Sequence, residues 1–504
     1  MQEYVLTSLF FIILAVTVPK SLIVAGRVQR ANYYPCRTSG AEWAEYAATL
    51  VIGLAAALAE YAARGAGIAI LALAAAAGTI FYSVKAYKMR VKFRFTHRAT
   101  RLYALYQAMT TAASGAVFAF SATPAALMYA ALVAAVSPMI IRLAAAVLLP
   151  FEKKNNARYL KKYAEKYREM KFIRIAVTGS FGKTAVKNML YAALKSHYTV
   201  MMSEGNFNTP FGIVKSLEKY AGEQIFIAEF GARRKGDIEE LNRLLPPDRA
   251  VITGVNEQHL ETFGSVSAVA GEKEKLAAAV KEPSHIVFNG GNAYTAEMAK
   301  RYPGSVTAGE KGDVTAERIT ETEEGLRFYL RYGGERRLVT FPLHGKHNAY
   351  NAAMAAAVAL GLGVPLKDIA GSLKRLTPVP HRFEVKKAGD ITIIDDGYNS
   401  NIEGAESGAE SLRAFPGRKV VSAAGIAEAG AKKRELNMRL GSALAGVADV
   451  VILSGENAKH IEKGLKQRGF SGEIIKTRGI AQTAKALPGI LRPGDVVWFQ
   501  NDIP

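Results

Sequence analysis

The sequence predicts an α/β protein headed by an N-terminal multi-span α-helical membrane region. Three observations carry this: long uncharged apolar runs confined to residues 1–150, a switch beyond residue 171 to short β-rich runs alternating with helical stretches, and a glycine-rich turn at residues 178–184. With 504 residues, 50% hydrophobic and 22% charged, the chain has room for two or three domains that each bury a core.

The membrane region comes first. No charge interrupts Tyr4 to Pro19, Gly65 to Val84, or Leu102 to Ile141, and Thr123-Pro124 divides the last run into two. Each piece approaches the roughly 20 residues that a helix needs to cross hydrocarbon. A shorter run, Tyr46 to Ala59, lies between Glu45 and Glu60 and makes a fifth span. The first run has no basic n-region and continues past Pro19-Lys20 into Ile23-Val24, so it reads as a retained anchor rather than a cleaved signal. Arg142 and Glu60 read as helix-end charges that snorkel. An alanine-rich soluble helical bundle is the alternative.

Charge placement orients the spans. Residues 1–171 hold 21 Lys/Arg against 7 Glu and no Asp, a balance of +14 out of the total of +21. Those cations flank apolar runs, especially Lys85 to Arg98 and Lys153 to Lys171, instead of forming a folded basic face with stacking aromatics, which excludes nucleic acid as a partner. Because Lys and Arg are retained on the cytoplasmic side, five spans place the amino terminus outside and everything after Phe151 in the cytoplasm. Cys36 is the only cysteine, so neither an intramolecular disulfide nor a cysteine metal cluster exists.

A basic juxtamembrane linker, 151–171, helical over Asn155 to Met170, precedes the soluble part. Lys171 to Val177, Tyr198 to Met202, Ile225 to Glu229, Arg249 to Thr253 and His285 to Asn289 read as strands separated by helices. A second series begins near Ile391 and includes Lys419 to Ala423, Val450 to Leu453 and Asp495 to Phe499. The two prolines of Leu376-Thr-Pro-Val-Pro-His exclude helix and mark a hinge. The expected division is therefore 1–150 (about five transmembrane helices), 151–171 (linker), 172–377 (a P-loop-type central domain) and 378–504 (a Rossmann-like C-terminal domain).

Strand Phe172 to Val177 runs directly into Thr178-Gly-Ser-Phe-Gly-Lys-Thr184 and then a helix. In such a turn Gly179, Ser180 and Gly182 aim backbone N–H groups at phosphate oxygens, Lys183 adds a cation, and Thr184 offers a hydroxyl to magnesium. Val177 stands where the first glycine of a full P-loop belongs.

The stretch Ala176 to Thr184 resembles the ATP loop of the Mur ligases, which add amino acids to the peptidoglycan stem peptide, and the resemblance continues in order along the chain. It takes in Glu204-Gly-Asn-Phe-Asn-Thr-Pro-Phe-Gly212, Ala228-Glu-Phe-Gly-Ala232 with Gly236-Asp-Ile238, and Ile252 to Ser265. Gly345-Lys-His-Asn-Ala-Tyr-Asn351, His381-Arg-Phe-Glu384 and Ile394-Asp-Asp-Gly-Tyr-Asn-Ser-Asn401 complete it. The pattern looks closest to the D-alanyl-D-alanine-adding type. It implies an ADP-forming ligase that uses ATP and Mg2+ to phosphorylate a substrate carboxylate, which the amine of an amino acid or dipeptide then attacks.

The resemblance also implies roles. Glu229 and His259 would bind magnesium with Thr184, and Lys273 would do so as a carbamylated lysine, although the run Glu272-Lys-Glu-Lys275 leaves its register open by two residues. His347, Asn348 and Asn351 would contact the nucleotide. Arg382 would fork onto the terminal phosphate, Asp396 would meet the ribose, and Tyr398 and Asn399 would shape the same cleft.

The pattern departs from the family in three places. Membrane helices stand where a soluble Mur ligase holds the UDP-sugar of its substrate, Thr209-Pro210 replaces the residues expected after Asn-Phe-Asn, and the chain stops at Pro504, sooner than the family's third domain. The expected partners are therefore a cell-wall precursor, lipid-linked or presented at the membrane surface, an amino acid or dipeptide, and membrane lipids. A polyglutamate or folate-type ligase and a catalytically silent membrane scaffold are the rivals. A scaffold's signature, loss of Lys183, Glu229 or His259, is absent.

Overall fold

The computed structural model describes residues 2–30, 40–63, 66–87, 94–119, 123–257, 260–378, 380–397, 402–426 and 432–500. The chain divides into two compact units, Met1–Tyr159 and Leu160–Pro504.

Among its described residues the first unit is built of helices: Gln2–Arg30, Gly40–Ala62, Ala66–Tyr87, His97–Gly115 with a 3-10 turn Ala116–Ala119, and Thr123–Glu169, whose final turns belong to the second unit. Thr96 caps the fourth helix by accepting the Ala99 N–H, and the fifth begins at the Thr123-Pro124 break. The basic helix expected over Asn155 to Met170 forms, but it is no separate element: the fifth helix runs unbroken through residues 151–169 and carries Pro138 and Pro150 inside it. Arg142 is likewise no helix-end charge: it lies buried within this helix, its Nη1 donating to the Pro138 carbonyl. Glu60 does sit near a helix end, where it accepts the Gly67 N–H at 3.0 Å.

Against the five spans expected, two helices among the described residues, Ala66–Lys85 and Pro124–Glu169, are long and apolar enough to cross a membrane, while Ala47–Ala62 is apolar but shorter. Leu9, Ile13, Ala56, Leu71 and Leu127 form one interior cluster, and Val24, Val28, Leu102, Tyr106 and Ile141 another. Polar groups accompany them inward: Lys20 donates to the Ala134 carbonyl at 3.3 Å and the Tyr106 hydroxyl to the Thr17 carbonyl at 3.2 Å. Among the described residues, all but four of the exposed large hydrophobic side chains belong to this unit, the exceptions being Phe211, Tyr294, Tyr332 and Leu338.

The second unit holds two sheets. The larger comprises β1 (Ile173–Thr178), β2 (Val200–Met202), β3 (Ile225–Glu229), β4 (Arg249–Ile252), β5 (Ile286–Asn289), β6 (Val306–Gly309), β7 (Val314–Thr322), β8 (Gly325–Tyr332) and β9 (Glu335–Phe341). Their order is β2-β3-β1-β4-β5-β6-β7-β8-β9, parallel as far as β7 and antiparallel beyond it. The parallel part is apolar on both faces because helices cover both. Ile175 and Val177 pack with Val186, Met189 and Leu190 and with the alanine-rich helix Lys346–Leu360. Ala176, Phe226 and Ile252 pack with Ile238, Leu241 and Leu276.

The strands expected in residues 171–289 all form, whereas the β6–β9 extension was not anticipated. Its half-exposed strands, such as Val314-Thr-Ala-Glu-Arg-Ile-Thr-Glu-Thr322, are polar on alternate positions and lack a continuous apolar run. The signal was present in that alternation and in Gly333-Gly334, which joins β8 to β9 as a two-residue hairpin.

The smaller sheet orders β10 (Glu384–Ala388), β11 (Ile391–Asp396), β12 (Lys419–Ala423), β13 (Val450–Ser454), β14 (Glu473–Thr477) and β15 (Val496–Gln500) as β10-β11-β15-β12-β13-β14. Only β10 is antiparallel; it and β14 are polar edge strands that the sequence reading did not include. In the larger sheet, β1 leads outward to β3 on one side and β4 on the other. Such a switch in strand order opens a crevice at the carboxyl ends of the strands.

Candidate active site

The turn Thr178–Thr184 leaves the carboxyl end of β1 at that crevice, and its two glycines are required by their surroundings. Gly182 has φ +76°, and a Cβ there would lie 2.8 Å from Asn351 Oδ1. At Gly179 a Cβ would fall 1.9 Å from Thr253 Oγ1. The loop is pinned rather than mobile. Ser180 N–H donates to the Gly254 carbonyl at 2.8 Å, the Asn256 N–H donates to Ser180 Oγ at 3.2 Å, and Thr253 Oγ1 donates to the Phe181 carbonyl. Lys183 folds back so that its Nζ donates to the Gly179 carbonyl at 2.7 Å. Burial lowers its ammonium pKa, opposed by Glu229 and reinforced by Arg382 and Arg233.

β3 delivers Glu229 beside this loop. Thr184 Oγ1 donates to Glu229 Oε2 at 2.9 Å, and Asn208 Nδ2 to Glu229 Oε1 at 3.3 Å. A hydroxyl and a buried carboxylate held together at a phosphate loop are hard oxygen donors of the kind magnesium takes. The donor set therefore fits a nucleotide with its metal. Lys273 lies 2% exposed on helix Val266–Ala278, its pKa driven well down by burial and by Lys183. Lys275 instead pairs with Glu272 at 2.8 Å, so of the two lysines Lys273 is the one directed toward the phosphate loop.

The expected nucleotide residues converge partly. Asn351 Nδ2 donates to Asn348 Oδ1 at 3.3 Å, which links two members of one helical face, and Asn348 Nδ2 in turn reaches the His344 carbonyl at 2.7 Å. His347 turns to the C-terminal domain, its Nδ1 2.9 Å from Ser407 Oγ. Its edge meets solvent, yet the surrounding protein, with Arg382 and against Glu321, pushes the ring down to about 4, so it is neutral at physiological pH. Asp396 accepts the Phe383 N–H at 3.2 Å, and burial pushes its carboxyl up to about 7 against the pull of that bond and of Arg382. Arg382 stands between two non-glycine residues in the left-handed region, His381 at φ +61° and Phe383 at φ +48°. Its charge acts on Lys183, Lys187, His347 and Asp396, which brings the C-terminal domain to the phosphate loop. His259, Tyr398 and Asn399 lie outside the described residues.

The sequence reading missed several contributors. Lys187 repeats on the face of Thr184 one helical turn later, a legible signal. Asn208, Thr253 and Asn256 come from loops after other strands and gain meaning only from the sheet order.

A strand-borne phosphate turn with a metal-type oxygen pair, faced by an arginine from a second α/β domain, defines an enzyme of the ATP-dependent ligase class. Profile matches agree: the Mur ligase middle domain aligns with residues 177–359 and the Mur ligase glutamate ligase domain with residues 381–500. The UDP-N-acetylmuramoyl-tripeptide–D-alanyl-D-alanine ligase of Bacillus subtilis is 31% identical over 337 residues, 65% of this chain and 72% of that protein. The structure of MurF from Thermotoga maritima in complex with ADP matches with a TM-score of 0.61 at 28% identity, over 68% of this chain and 80% of that one. MurF from Acinetobacter baumannii matches with a TM-score of 0.61 at 26% identity, over 68% and 75% of the two chains. The chain belongs to the Mur ligase family and is an ADP-forming ligase.

Proposed function

We propose that this chain is a membrane-anchored peptide ligase of cell-wall synthesis, activating the carboxylate of a wall precursor with ATP and joining it to the amine of an amino acid or dipeptide. The observation that carries the proposal is the Thr184–Glu229 pair at the phosphate loop, 2.9 Å apart and brought together from the helix that follows β1 and the end of β3. By likeness to the Bacillus subtilis relative, the amine is D-alanyl-D-alanine and the acceptor a tripeptide precursor.

Thr184 and Glu229, with His259 by resemblance, would hold magnesium, which supplies positive charge between phosphate oxygens. The protein's own share is positioning and charge. The amides around Gly179 and Gly182 cradle the phosphates, Lys183 and Arg382 neutralise the terminal one, and Glu229 offers its carboxylate oxygens beside Thr184. Lys273 suits carbamylation, since burial and the nearby Lys183 lower its ammonium pKa and so favour the free amine that adds to carbon dioxide, the proton passing to solvent; the carbamate anion would then lie near Lys183 in place of a second cation.

The exposed apolar side chains of the first unit support a membrane location, and the basic segments Lys85 to Arg98 and Lys153 to Lys171 support ligase domains in the cytoplasm. Because the family profiles begin at residue 177, after that unit, we place the acceptor at the membrane surface and take it to be lipid-linked. Detergent-solubilised protein given MgATP, D-alanyl-D-alanine and either UDP-linked or polyprenyl-linked tripeptide tests this. Turnover of the soluble acceptor alone would defeat the lipid-linked part, and turnover of neither would defeat the whole.

A further inference from the structure

Lys187 has no part in the reading above, yet it is the most deeply buried charge at the site, 1% exposed. It lies on helix Lys183–Leu194, one turn after Thr184. Its ammonium donates to the Ser203 carbonyl at 2.8 Å and to the Gly205 carbonyl at 2.5 Å, and stands 3.8 Å from Glu229 Oε2. Both carbonyls belong to the loop that follows β2. The far end of the same loop returns to Glu229, where Asn208 Nδ2 meets the other carboxylate oxygen. Gly231 has to lack a side chain for this, since a Cβ there would be 2.7 Å from Asn208 Cγ. Residues 203–208 thus form an arch standing on Lys187 at one foot and Glu229 at the other.

An ammonium buried this completely is unfavourable unless its hydrogen bonds are made, and a methionine would fill the same stem space without that penalty. Its retention points to what it holds. Thr184 and Glu229 mark the metal and terminal-phosphate end of the site. An in-line transfer needs the acceptor carboxylate beyond that end, away from the nucleotide, and the arch reaches Glu229 from outside the phosphate loop.

Resting on the ligase reading, we propose that Lys187 is a positioning residue for the acceptor. It ties the 203–208 arch to the phosphate-loop helix, so that Asn208 and the arch backbone meet the acceptor carboxylate at a fixed distance from Glu229. Lys187 therefore contributes to acceptor affinity and not to nucleotide affinity.

The test uses the full chain in detergent with Lys187→Met and Lys187→Arg, reading MgADP affinity, amide hydrogen exchange, and the KM for the UDP-linked or polyprenyl-linked tripeptide. Lys187→Met should leave the MgADP Kd within about twofold, speed exchange of the 203–208 amides about tenfold or more, and raise acceptor KM about tenfold with a smaller change in kcat. Lys187→Arg, which keeps the donors, should recover most of both effects. Unchanged exchange and KM in Lys187→Met, or MgADP affinity lost in step with them, would overturn the proposal. Should Lys187→Met fail to fold, Asn208→Ala removes the other foot and should raise acceptor KM by a larger factor than MgADP Kd; an unchanged KM counts against the arch. Wild-type protein that binds MgADP but turns over neither acceptor sinks the ligase reading, and the exchange measurement still decides whether Lys187 anchors the arch.

Discussion

The two units of this chain place their side chains in opposite ways. Met1–Tyr159 exposes Val51, Leu54, Leu58, Leu73 and Ile80 while Lys20, Ser21, Thr110 and Ser137 lie inside. In Leu160–Pro504 the aliphatic residues fill sheet and helix faces, and four of the buried polar groups, Thr184, Lys187, Glu229 and Lys273, belong to the strand and helices around the phosphate loop. The difference teaches that buried polarity has two meanings. In the first unit it is the minority enclosed by helices that leave apolar side chains exposed; in the second it is chemistry collected where a parallel sheet opens.

The comparison breaks most decisively at Lys183. Lys183→Ala should lower acceptor-dependent phosphate release by about a thousandfold or more while leaving extraction of the protein from membranes unchanged. Glu229→Gln should cost about a hundredfold and raise the magnesium concentration needed for half-maximal activity; an unaltered magnesium titration would remove Glu229 from the metal site. A chain beginning at Leu160 should stay in aqueous solution and keep its MgADP Kd within about threefold, because the second unit has its own core. If that fragment needs detergent, the contrast between the units is wrong. On the exposed face of the first unit, Leu58→Asp should reduce membrane insertion where Leu58→Ala does not, with a penalty of about 2–3 kcal/mol if the position sits in hydrocarbon.

The smallest effect concerns pH. The Asp396 carboxyl is raised from 3.8 to about 7, chiefly by burial. The folded state therefore holds a proton that the unfolded state has lost between those values. The stabilisation from this group is complete below the unfolded pKa and disappears as pH rises through the folded one. Asp396→Asn should accordingly raise Tm more at pH 8 than at pH 5, measured by thermal melts at both. Equal shifts at the two pH values would mean that the carboxyl is not perturbed in this way.

Much of this was legible before any coordinates. The strands of residues 171–289 announced themselves as apolar runs, and the phosphate turn as seven consecutive residues between a strand and a helix. The meander Val306–Phe341 stayed hidden because its strands bury one face only, and β10 and β14 because edge strands need little apolar content. Lys273 could not be separated from Lys275 by spacing. Which of them faces Lys183 depends on the rotation of helix Val266–Ala278, and its packing on β1 and β4 sets that.

By itself the sequence determined whatever is made of neighbouring residues: the uncharged runs, the glycine turn, and the helical face that carries Asn348 and Asn351. Only the tertiary structure decided the pairs that make a site. Thr184 meets Glu229, Lys187 meets the carbonyls beyond β2, and Gly182 meets Asn351. Those pairs depend on strand order, which brings β1 between β3 and β4 although the chain visits β2 first. Order of that kind is a property of the packed sheet, because no local preference of the backbone encodes which distant strand will lie alongside.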